Sequence, residues 1–201
     1  MAPLLSRALI GVALATVAAV GGCRDPADDY AEFLDASASF RGQTAPIAAS
    51  HLEDLTGDWF VHALLAGGLP LSLRMRFSMD VTQTPIPLTA MIWTASANLD
   101  TDPPLDTVTS VVGADGRFTL RAEPLIIAKG AVKGVNIAVT ANIDMDNYTQ
   151  SADEWCGGAT GAIVDPFPLD LAGSTLGALR DTTHTLTVDQ VPGRCPVPDM
   201  M

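Results

Sequence analysis

Apolar and polar residues alternate along two long stretches of the chain, and that alternation predicts strands buried on one face. Leu71, Leu73, Met75, Phe77 and Met79 interleave with Ser72, Arg74, Arg76, Ser78 and Asp80. The same period of two runs through Val135, Ile137, Val139, Ala141, Ile143 and Met145, set against Asn136, Thr140, Asn142, Asp144 and Asp146. Side chains two residues apart share one face of a strand, so each series marks a wall with a core side and a solvent side. Between them, residues 85–98 predict a strand through Met91, Ile92 and Trp93. Ala114, Asp115 and Gly116 form a turn from Val111 and Val112 into Phe118 and Leu120. Residues 159–164, 169–179 and 183–188 are further strand candidates, the last with His184, Leu186 and Val188 on one face. About seven to nine short strands without an intervening helical pattern predict an all-β fold, either an antiparallel barrel or a β-sandwich.

The first part of the chain has a different texture. Arg7 precedes an apolar run from Ala8 to Val20, too short to cross a bilayer comfortably, and Gly21 and Gly22 lead into Cys23. The order Val20, Gly21, Gly22, Cys23 resembles the lipobox of bacterial lipoproteins. The resemblance implies that residues 1–22 are a signal peptide and that Cys23 is lipidated, which ties the protein to a membrane through acyl chains. Arg24 stands where an Asp would retain such a protein at the inner membrane, which implies the outer membrane of a bacterial envelope.

Residues 23–54 are expected to be a tether rich in Ala, Asp and Ser, and residues 55–201 a single β domain. Asp25 followed by Pro26 fits a helix cap and first turn, predicting a short N-terminal helix through Tyr30, Phe33 and Leu34. Another helical turn is expected over residues 51–55. If Cys23 carries lipid, Cys156 and Cys195 remain as one pair, and an oxidising compartment permits a disulfide between them.

Thr56, Gly57, Asp58 and Trp59 open the first strand and resemble the Gly-x-Trp entry of lipocalins. That resemblance implies an eight-stranded up-and-down barrel for a small apolar ligand, with Arg180 stacked on Trp59. In such a barrel Leu73, Met75, Phe77, Val135, Ile137 and Val139 would line a ligand cavity, whereas in a filled barrel they are core.

Charge narrows the partners. A net charge of −12 makes nucleic acid an improbable partner, because phosphate binding needs a basic footprint. The same acidity makes membrane attachment depend on the acyl chains.

Candidate chemistry is sparse, and no catalytic residue, metal ligand or cofactor is assigned. His51, His62 and His184 are scattered, with no pair at one-turn helical spacing. Ser174 lies in Ala-Gly-Ser-Thr-Leu-Gly, where Ala172 replaces the first glycine of a nucleophile elbow, so a loosened strand is the reading. Asp100, Asp102 and Asp106, and then Asp144, Asp146, Asn147, Asp153 and Glu154, are expected in two acidic loops. Their oxygens suit Ca²⁺, but neither group has EF-hand spacing, and solvated loops are expected.

The function expected is non-catalytic, a binding or structural role in the cell envelope. The alternatives are an exported hydrolase assembling Asp, His and Ser residues in space, and a protein-interaction module. Replacing Cys23 with Ser is expected to move the protein from the membrane to a soluble exported fraction. Cell fractionation with intact-mass measurement checks this, and membrane retention without acyl mass would overturn the tether.

Overall fold

The computed structural model describes residues 50–66, 68–129 and 136–196. Cys23, the expected tether helix and Val135 lie outside them. Nine strands follow one another: β1 (Gly57–Leu65), β2 (Leu69–Met79), β3 (Ile86–Thr94), β4 (Asp106–Val112), β5 (Arg117–Ile127), β6 (Val139–Ser151), β7 (Glu154–Asp165), β8 (Leu169–Asp170) and β9 (Ser174–Arg180). Each of β1 to β7 pairs antiparallel with the next, and β9 pairs with both β7 and β1, so the sheet closes into an eight-stranded up-and-down barrel. The short β8 is the extra strand, paired with the far end of β7. The barrel therefore holds, and the sandwich alternative does not.

Strand alternation decides which side chains enter the barrel. Along β2, Leu71, Leu73, Met75 and Phe77 point inward and are buried, as are Ala141, Ile143 and Met145 along β6. The second series starts later than its pattern suggested, with Ile137 in the approach to β6 and Val139 as the first strand residue. Pro124 lacks a donor for the ladder, and the β5–β6 register shifts between Ala122 and Leu125, the kind of bulge where a sheet tolerates proline.

Three local expectations differ from the structure. Residues 169–179 are two strands separated by a turn at Ala172–Gly173, because the Ser174 N–H bonds back to the Leu171 carbonyl. Residues 183–188 form no strand, since their backbone donors are drawn elsewhere: the N–H groups of Thr185 and Leu186 donate to the Asp181 carboxylate. Residues 51–55 form no helical turn; Leu55 is buried, and its carbonyl accepts the Trp59 indole N–H at 2.8 Å.

After β9 the chain runs as a strap over the outer faces of β1 and β2. Arg74, an outward residue of β2, is buried beneath it and donates to Asp181 at 2.7 Å, to the His184 carbonyl at 3.0 Å and to the Ala95 carbonyl at 2.9 Å. Its guanidinium also lies 5.4 Å from the centre of the Phe60 ring. Asp181 is 2 % exposed, so the pair is desolvated on both sides and depends on these additional bonds.

The Cys156–Cys195 disulfide staples the end of the strap to β7 across a sequence separation of 39 residues. Closing a loop of that length is expected to stabilise the fold by roughly 4 kcal/mol, chiefly by restricting the unfolded chain. Reduction is therefore expected to lower the melting temperature while the far-ultraviolet circular dichroism keeps its β signature below the transition. An unchanged melting temperature, after thiol labelling has shown both sulfurs free, would overturn this role.

Candidate functional site

The two ends of the barrel are built from different residues. At the end where β1 begins, Trp59, Phe77, Phe118 and Trp155 point into one layer, with neighbouring ring centroids 5.6–6.2 Å apart. Rings at this spacing leave no room for a ligand, so this end is plugged.

The plug is held from below by Arg180, whose guanidinium lies 4.6 Å from the centre of a Trp59 ring. The same group donates to the carbonyls of Thr56 at 2.6 Å and Asp54 at 2.9 Å, and to that of Ala152. One side chain thus ties the entering segment, the β6–β7 turn and the last strand together. Gly57 has φ +133°, a backbone conformation that a residue with a side chain rarely adopts, and a side-chain carbon there would also sit 2.8 Å from Arg180 Nη1. The expected stacking of Arg180 on Trp59 is present.

At the opposite end the inward residues are aliphatic and the interior stays open. A cavity of about 470 Å³ opens between the β1–β2 turn, the approach to β6 and the β7–β8 connection. Leu71, Ala141, Ile143, Ile163 and Leu171 form its inner wall, while Leu69 and Phe167 stand at the mouth, about half exposed. Among the described lining residues only Asn136 carries a polar side chain.

Of the residues expected to line a cavity, Ile137 and Val139 do so. Leu73 lies deeper, beside a smaller void. Met75 and Phe77 are buried without lining either space, and Phe77 belongs to the plug. Leu65, Leu69, Leu171 and Phe167 also line the cavity, and they flank turns or short strands where alternation fades. Leu71 and Ile143 stand in the alternating series, which is the signal that places them inside the wall.

The polar chemistry lies outside the wall. His62 faces outward from β1, with Nδ1 3.4 Å from Ser72 Oγ, and burial pushes its imidazole below the usual range. His184 Nε2 lies 2.7 Å from Asp58, and exposed His51 lies 3.1 Å from Glu53. The histidines thus meet different neighbours, and none lines the cavity.

The first carboxylate group is in part the expected loop, since Asp100 and Asp102 stand exposed between β3 and β4 while Asp106 opens β4; of the second group only Asp153 lies in a turn. Asp144 and Asp146 are outward residues inside β6, bonded to Arg121 and Thr119 at 2.7 Å, so the period-two series continues through them. Asp100 pairs with Arg76, and Asp102 accepts the Asn98 N–H. Among the described residues no three His, Cys, Asp or Glu side chains gather as a metal site.

Asp58 is the best-defined ionic residue near the plug. Arg76 grips its carboxylate with bonds of 2.6 and 2.9 Å, and this contact, helped by His184, holds its pKa below the usual carboxylate value. A depressed carboxylate stabilises the fold above its unfolded pKa, and the contribution is lost as pH falls through the folded value. The wild type is therefore expected to lose more stability than an Asp58→Asn variant between about pH 5 and about pH 2. Urea unfolding at both pH values checks this, and parallel losses in the two proteins would overturn the assignment.

Comparison of the chain with protein-family models, with curated proteins and with solved structures finds no match.

Proposed function

We propose that this protein is a lipid-tethered protein of the bacterial cell envelope whose barrel holds a small apolar ligand without transforming it. The observation that carries the binding reading is the cavity at the open end, about 470 Å³ and walled by aliphatic side chains. Its size falls within the range of about 300–1,000 Å³ common to small-molecule pockets. An aliphatic wall offers burial, worth about 25 cal/mol for each Å² of apolar ligand surface removed from water. It offers no nucleophile, acid or base within the cavity among the described residues.

The tether rests on the Val20, Gly21, Gly22, Cys23 resemblance and the leader before it. Lipid on Cys23 would hold the domain at a surface rich in apolar molecules, which fits a cavity of this kind.

The test uses N-phenyl-1-naphthylamine, an uncharged probe that fluoresces in apolar surroundings. Wild type is expected to give a saturable signal with one site per chain. Ile163→Arg, which places a cation in the wall, is expected to weaken binding by at least about tenfold, equivalent to about 1.4 kcal/mol. Absence of saturable binding by the folded wild type would overturn the reading.

A further inference from the structure

Below the open cavity lies a second, smaller void of about 20 Å³. Leu65, Leu71 and Ile143 line both spaces, so these three side chains are the partition between them. The order follows from the β1–β2 register. Leu65, whose side chain reaches both spaces, pairs with Leu69, whose side chain stands at the mouth; Ala63 pairs with Leu71 at the partition, Val61 with Leu73 beside the void, and Trp59 with Met75 at the level of the plug. From Leu65 to Val61 the strand advances about 13 Å, at about 3.3 Å per residue. An occupant entering from the mouth therefore meets a wall of movable aliphatic side chains before it reaches the rings.

The wall chemistry selects what can enter. The sides and the void beyond are aliphatic, and the one polar lining side chain among the described residues, Asn136, belongs to the exposed approach to β6. A polar group carried inward would lose its water without gaining a partner, so it stays at the mouth while an apolar tail goes in. No aromatic face lines the inner wall for a ring to stack on, since Phe167 stands at the rim and the rings of the plug are below the void.

Resting on the cavity reading above, we propose that the ligands are amphiphiles with a single unbranched aliphatic chain that enters tail first, and that Leu65, Leu71 and Ile143 set the longest chain accommodated. Each further methylene gains affinity only while it finds apolar wall. Beyond the partition an added methylene bends back or remains in water.

The experiment measures displacement of N-phenyl-1-naphthylamine from the folded protein by alkyl maltosides from hexyl to tetradecyl, each below its micelle-forming concentration. Affinity is expected to rise about fourfold per methylene and then level off. Ile143→Ala joins the void to the cavity and is expected to move the levelling point to longer chains. Ala141→Leu fills space above the partition and is expected to move that point to shorter chains. Thermal unfolding confirms that each variant is folded, and either variant alone carries the test if the other is not.

A rise with no levelling in wild type, or a levelling point that neither folded variant moves, would overturn the ruler. If the probe binds but no alkyl maltoside displaces it, the single-chain class is wrong and the cavity reading stands. If neither binds, the cavity reading itself has failed.

Discussion

Closure of the sheet is the constraint on which everything else depends. A β-sheet left open would expose unpaired backbone groups at both edges, and here the pairing of β1 with β9 removes those edges from the main wall. Closure also divides each strand's side chains into an inner and an outer set with no freedom to exchange them, because a slip of one residue would invert the whole strand. The outer set of β1 and β2 contains Phe60, Arg74 and Arg76, and the strap with Asp181 and His184 is what makes burial of that surface tolerable.

Inside the wall, function follows from where bulk is placed. Trp59, Phe77, Phe118 and Trp155 gather at one level and fill it, which leaves the opposite level to branched aliphatics and alanine around open space. One end is therefore a rigid base and the other a vestibule. Arg180 belongs to the base: by bonding Asp54, Thr56 and Ala152 while covering Trp59, it fastens the entering segment and the β6–β7 turn to the last strand.

Much of this was legible in the sequence because alternation is a strong signal in a two-sided wall. The series from Leu71 to Met79, the turn at Asp115 and Gly116, the Cys156–Cys195 bridge and the contact between Arg180 and Trp59 all follow the sequence reading. The segments that differ do so for separate physical reasons. Residues 183–188 alternate as a strand does, yet the Asp181 carboxylate competes successfully for their donors. Asp144 and Asp146 resemble a loop by composition, but they are the solvent side of a continuing strand. The cavity was only half visible, because inward positions look alike whether they enclose space or fill it. Met75 and Val139 differ in depth, which becomes visible only when the strands are set in register.

The strap and the closing seam join the two extremes of the domain. Arg180 reaches the Thr56 carbonyl across 124 residues, and His184 reaches Asp58 across 126. Contacts of such long sequence range slow folding, because the loop must close before they form. The base of the barrel thus cannot be completed while the last strand is still missing. A chain interrupted before residue 174 would present the edges of β1 and β7 to solvent, open to pairing with any other extended chain. Completion of the ring consequently draws on residues from both extremes of the domain at once.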